Sequence, residues 1–282
     1  MVVLTGLGAS VPFAASPVVA ASLLGSGSFS VDATDNIWGA GLTTPPDPGG
    51  GGGGTLPSDI SVPSGAGVVT FDNGSGAVTY CSGCNSAIDG VSPPPSPVDI
   101  SSAGGISGLV DNSRGFYMVG VFLDGSQPAT PPATLNFTHD HSFSGLAPEL
   151  GQVFFIGDGL EGTGSGTPQQ FEVPTGATDL YLGFPDAYNF EGAPGYYGDN
   201  GGTVTGSYDF WPSNAAQLHQ YMAEGNPSVS APDGCSCQAG DPVSNLSGDL
   251  YQPQTDVSVP GRGWGGVNNT WTWGAQWAPD PK

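Results

Sequence analysis

The segment GFPDAYNFEGAPGYYGDNGGTV, residues 183–204, places Asp186, Asp199 and Asn200 in one stretch with glycines at 192, 195, 198, 201 and 202. Carboxylate and amide oxygens, beside a backbone free to turn its carbonyls inward, suit a calcium ion, which takes about six to eight oxygens at about 2.3 to 2.6 Å. One such loop supplies roughly half of that set. The same residues also fit an acidic, glycine-rich hairpin in water, and residue chemistry leaves both readings open.

Three other groups carry reactive side chains. His139 and His141 in THDH alternate as on a strand, so that both would face one way, as in zinc and copper sites. No third ligand can be named, and two exposed histidines are the plain alternative. Asp124 in VFLDG and Asp158 in IGDG stand before glycine at strand ends, where aspartate makes turns. As a pair about 5 to 9.5 Å apart they would instead suit glycoside hydrolysis. Cys81 and Cys84 form a CxxC, and Cys235 and Cys237 a CxC. An exported chain favours disulfides, 81 with 84 locally; zinc is the alternative. A CxC disulfide would be strained and easily reduced. No nucleophile elbow, phosphate loop or HExxH motif occurs, and no catalytic residue is assigned.

Composition bounds the partners. Three Lys and Arg against 25 Asp and Glu give a net charge of −22 over 282 residues. Such a chain repels polyphosphate and has no basic stripe, which excludes nucleic acid and anionic membranes as direct partners. It attracts cations instead. No apolar run reaches the roughly 18 residues of a membrane-spanning helix. The opening MVVLTGLGASVPFAASPVVAASLL is apolar but lacks a positive flank, and reads as a degenerate signal peptide or a clipped terminus.

The elements that must position these residues are short. With 48 Gly and 27 Pro the chain resembles a disordered one in composition, but its 13 Phe, 9 Tyr and 6 Trp provide a core. Residues 1–56 read as the signal-like segment and a linker centred on PPDPGGGGGG, Pro45 to Gly54. Eight strands are predicted after it: GVVTF, AVTY, GFYMVGVFLDG, ATLNFTH, QVFFIGDG, QQFEV, DLYLGF and TVTGSYDF, ending at Phe210. Separated by NG, DG and PG turns, they predict an all-β sandwich or jelly roll over 57–210. A single helix, AAQLHQYMAE, capped by Ser213 or Asn214 and stopped by Gly225 and Pro227, opens a helix-and-linker segment at 211–239. Trp264, Trp271, Trp273 and Trp277 crowd the last residues, more than so short a tail can bury.

The succession GFYMVGVFLDG, GQVFFIGDG and DLYLGFPDAYNFEGAPGYYGDNGGTV resembles the calcium-dependent galactose-binding lectin I family of pseudomonads and its extracytoplasmic bacterial relatives. The resemblance implies a galactose-binding-like sandwich in which a loop-held calcium grips two sugar hydroxyls. It implies metal binding by Asp186, by the Tyr196 carbonyl, by Asp199 and Asn200 at the paired turn positions, and by Tyr80 as the carbonyl of an earlier loop. Asp186 and Asn200 would share oxygens between metal and sugar. Tyr188, Phe190 and Tyr197 would stack on the sugar's apolar face. The stretch AYNFEG lengthens the loop relative to the family, and the family's sugar-contacting His and Gln have no counterpart here.

A second resemblance follows at GDPVSNLSGDLYQPQTDVSVPGRG, residues 240–263, which is similar to the entry motif of Rhs, or YD-repeat, proteins. It implies that 240–282 opens a partial Rhs-type shell; the repeats themselves do not follow, and GWGGVNNTWTWG stands where their first strand is expected. Together these readings predict a secreted or cell-surface, Ca2+-dependent, glycan-binding module of galactose type. The alternatives are a sandwich stapled by calcium without sugar binding, and a glycoside hydrolase.

Overall fold

The computed structural model describes residues 22–212. The signal-like start, the helix expected from 213, Cys235, Cys237 and the Rhs-like segment 240–282 lie outside the described residues.

Within them the fold is all-β. The strands are β1 (Gly25–Asp32), β2 (Ser58–Ser61), β3 (Ala66–Cys81), β4 (Cys84–Ala87), β5 (Val98–Ile100), β6 (Leu109–Asp111), β7 (Val119–Leu123) and β8 (Leu135–Asn136). They continue with β9 (Gly145–Leu146), β10 (Phe154–Phe155), β11 (Leu160–Gly162), β12 (Ser165–Pro168), β13 (Gln170–Glu172), β14 (Asp179–Gly183), β15 (Glu191–Gly192) and β16 (Gly201–Pro212). One sheet runs β1-β16-β3-β13-β9, with β4 also on β3; a second runs β10-β7-β14-β2; a third runs β15-β5-β6-β8.

Valine, phenylalanine and leucine recur on the inner faces of the first two sheets, because burying these side chains is what closes a sandwich. Phe71 and Phe171 meet edge to face, and Phe171 meets Phe154 of the second sheet at 5.3 Å between ring centres. β7 is buried at all five positions, so both of its faces are covered, which is why its sequence runs apolar instead of alternating.

GVVTF and AVTY are one strand, not two. β3 passes straight through DNGSG, with Asn73 at φ 55° and a register shift against β16 between Thr205 and Ser207. The twelve-residue partner β16 supplies a ladder on both sides of the irregularity, which outweighs the local turn preference of Asn-Gly.

The linker reading of 26–56 is corrected. β1 pairs with β16 from Gly25↔Phe210 to Asp32↔Thr203. Trp38 is fully buried and its indole N–H donates to Ser107 O at 3.0 Å. Buried Asn36 donates its amide to Pro46 O and Gly53 O, gathering the glycine run. That run then pairs with the acidic loop: Gly49 N–H to Pro194 O, Gly51 N–H to Gly195 O and Tyr197 N–H to Gly52 O. A Cβ on Gly51 would stand 2.1 Å from the Tyr196 ring, so glycine here serves close backbone approach.

Candidate functional site

The acidic loop leaves β14 at Gly183, makes two 3-10 turns at Tyr188–Phe190 and Tyr197–Asp199, and enters β16 at Gly201. Two positions within the first turn region, Asn189 and Phe190, hold positive φ of 53° and 58°, which folds the loop back on itself. Gly195 N–H donates to Asp186 O at 3.1 Å and closes it.

This loop and the β3–β4 hairpin enclose a cavity of about 320 Å3. Its wall carries four rings, Tyr80, Tyr188, Phe190 and Tyr196, and two carboxylates, Asp186 and Asp199. Cys81 and Cys84 also line it, joined as a disulfide across the hairpin, as the local pairing predicted. Tyr80 stands where the β3–β4 ladder breaks register between Thr79 and Cys81, an irregularity of the kind that re-aims side chains beside sites.

Asp186 is 4 % exposed, and its Oδ2 accepts no hydrogen bond. Burial pushes its carboxyl up to about 8, against the downward pull of the Asn200 amide and the Ala187 N–H; the charge of Asp199 adds to the rise. Asn200 donates its amide to Ala33 O at 3.1 Å, while its own Oδ1 is buried without a partner. Each is an orphan acceptor of the kind that a donor or a cation satisfies, and Asp186, which lines the cavity, fits the calcium expectation on residue chemistry. Among the described residues no group of three or more His, Cys, Asp or Glu side chains gathers for a metal. A calcium ion here would therefore lean on amide and main-chain oxygens besides Asp186 and Asp199.

The predicted sugar-stacking residues separate. Tyr188 is 61 % exposed and meets Tyr196 at 5.2 Å between ring centres. Phe190 is buried, packed against Tyr80 and Phe116, and lines the cavity. Tyr197 is corrected outright: it is 1 % exposed, donates its hydroxyl to Phe184 O at 2.7 Å and accepts the Asp186 N–H. Two adjacent tyrosines flanked by glycine, Gly195 and Gly198, gave no signal of which turned inward.

The histidine pair does not share a strand face, because β8 ends at Asn136 and THDH lies beyond it, with Asp140 N–H turning back to Phe137 O. His139 is exposed, whereas His141 places Nε2 2.6 Å from Asp111 Oδ2. Burial alone would raise Asp111; hydrogen bonds from His141 and Ser113 outweigh it and hold the carboxyl below its usual range. Asp124 is exposed, and Asp158 spends its carboxylate on the N–H groups of Leu160 and Gly164 as a turn residue. Its partner is Asp89, whose Oδ1 accepts the Asp158 N–H at 2.8 Å. Arg114 donates to Asp89 O and to Thr163, and its N–H caps Asp111. The sequence reading passed over Asp89, Asp111 and Arg114. The available signal was Arg114 itself, the one Lys or Arg between residues 22 and 212 of so acidic a chain.

Over the described residues, fold and site together define an all-β unit with an acidic, aromatic cavity between a long loop and a disulfide-closed hairpin. No family model, curated protein or solved structure matches it.

Proposed function

We propose that the chain is a calcium-dependent carbohydrate-binding module of galactose type, belonging to an exported bacterial surface or Rhs-type protein. The observation that supports it is the buried, unpartnered Asp186 Oδ2 in the wall of a cavity that also carries Asp199 and four aromatic rings. Asp186 would bind both metal and sugar. Asp199, Asn200 and the carbonyls of Tyr196 and Tyr80 would complete the protein's share of the oxygen set, and Tyr188, exposed at the mouth, would lie against the sugar's apolar face. Bound calcium supplies charge that fixes two vicinal hydroxyls. The chain's own residues hold the ion, exclude water on the aromatic side and orient the ring. Export is in keeping with the Cys81–Cys84 disulfide, and the larger shell with GDPV and PGRG.

A second reading is favoured by one observation. Asn200 ties the loop to Ala33 at the end of β1, so an ion here would also staple the amino-terminal strand to the sandwich without any sugar.

Melting of the full chain in EDTA, in calcium, and in calcium with a panel of simple sugars tests both. A calcium shift followed by a further galactose shift supports the lectin, and calcium alone supports the staple. No calcium shift, or a calcium shift that persists unchanged when Asp186 and Asp199 are both replaced by Ala, refutes the metal.

A further inference from the structure

We propose that the same cavity accepts a methylated ammonium group, so that its organic ligands include small quaternary amines. The inference rests on Asp186 as the cation-facing carboxylate of the proposed function, but it does not depend on calcium.

Four observations carry it. The four rings of the wall are not coplanar: Tyr188 and Tyr196 meet at 59°, and Tyr80 and Phe190 at 54°, with centres 5.2 and 5.3 Å apart. A flat sugar face needs one ring laid against it. A rounded group such as trimethylammonium gains from several ring faces inclined around it, because each π face is negative and attracts the cation. The two carboxylates among these rings, Asp186 and Asp199, have no Lys or Arg in the cavity wall to neutralise them. Asp186 is nine-tenths buried and more, and its Oδ2 is unpartnered. Finally, the volume of about 320 Å3 lies at the small end of ligand pockets, about 300 to 1,000 Å3, which suits a compact head group.

Hydration separates this ligand from a metal ion. A quaternary ammonium is weakly hydrated and gives up little on entering an aromatic recess, whereas Ca2+ must exchange its water for oxygens. A free cation is also favoured over a phosphocholine head group, since a phosphate would meet Asp199 and a chain of net charge −22.

The test is titration of the full chain with choline by calorimetry and tyrosine fluorescence, at pH 8.5 with EDTA present. The comparison ligands are phosphocholine, N-trimethyllysine amide, and the uncharged isostere of choline in which tert-butyl replaces trimethylammonium. The expected result is saturable binding of choline and the trimethyllysine amide, about tenfold or more weakened in the isostere, and weaker binding of phosphocholine. Tyr188→Ala and Tyr196→Ala, each about fivefold weaker for choline, would place the group among these rings. Asp186→Asn would weaken both cations. Absence of choline binding, or an isostere that binds as well, overturns the inference while leaving the calcium result to stand or fall separately. Phosphocholine binding more tightly than choline overturns it in favour of a head-group site. Choline bound as expected by a chain that calcium does not stabilise would retain the inference and refute the metal.

Discussion

The hydroxyl of Tyr197 accepts the main-chain N–H of Asp186 at 3.2 Å and donates to Phe184 O at 2.7 Å. The phenol thereby joins the end of β14 to the loop aspartate from behind the cavity. Its own ionisation is pushed well above the usual value, first by burial and then by the nearby Asp186 charge, so it remains a donor throughout the accessible pH range.

Tyr197→Phe leaves a buried carbonyl and a buried N–H without their partner. The expected cost is about 1 to 3 kcal/mol in urea unfolding, together with weaker calcium stabilisation, since Asp186 loses its anchor. Unchanged stability would show that water or backbone movement satisfies both groups.

On the proposed function, calcium uptake at Asp186 would displace a proton. With the carboxyl pushed up to about 8, the apparent calcium affinity is expected to weaken by about tenfold for each pH unit below that value. Calorimetric titrations at pH 6, 7 and 8 check it, and Asp186→Asn should remove the dependence along with most of the binding. A flat profile in the parent chain would contradict the assignment.

Asp89 lies against Asp158, and its carboxyl is pushed up to about 6, by burial first and by the charge of Asp158 as well, with Arg114 opposing. A folded value above the unfolded 3.8 stabilises the fold fully below about pH 4, and that contribution is lost as pH rises through about 6. Asp89→Asn imitates the protonated form, so it is expected to flatten the fall in stability between pH 4.5 and 7 by up to about 2 kcal/mol. Asp186, raised by burial to about 8, and Asp35, Asp59 and Asp209, also raised by burial, contribute to the decline that remains in the variant. Urea titrations across that range, parent against variant, read the difference.

Gly51→Ala drives a methyl group to within 2.1 Å of the Tyr196 ring. The expected result is a loss of about 1 to 3 kcal/mol and a displaced Tyr188–Tyr196 pair, seen as a change in tyrosine fluorescence. Gly25→Ala, whose Cβ would meet Pro63 at an ordinary 3.5 Å, serves as the control and should shift stability by about 0.5 kcal/mol or less.

The apolar and alternating runs were enough to identify an all-β chain and to mark β7, β14 and β16, because strand period and aromatic content are local properties. The acidic loop was also legible: Asp186, Tyr188, Tyr196 and Asp199 do border one cavity, since a single turn-rich segment carries them together. What sequence could not decide was set by partners far along the chain. The hexaglycine run looked structureless because glycine has no local preference, yet Asn36 and the loop carbonyls at Pro194 and Gly195 fix it. Which of Tyr196 and Tyr197 faces the cavity depended on that same run lying over them, and Asp89 met Asp158 only through a contact between residues 69 positions apart. Composition and period are written residue by residue. The gathering of an orphan oxygen, rings and carboxylates into a site is a property of chain segments that meet only when the sandwich closes.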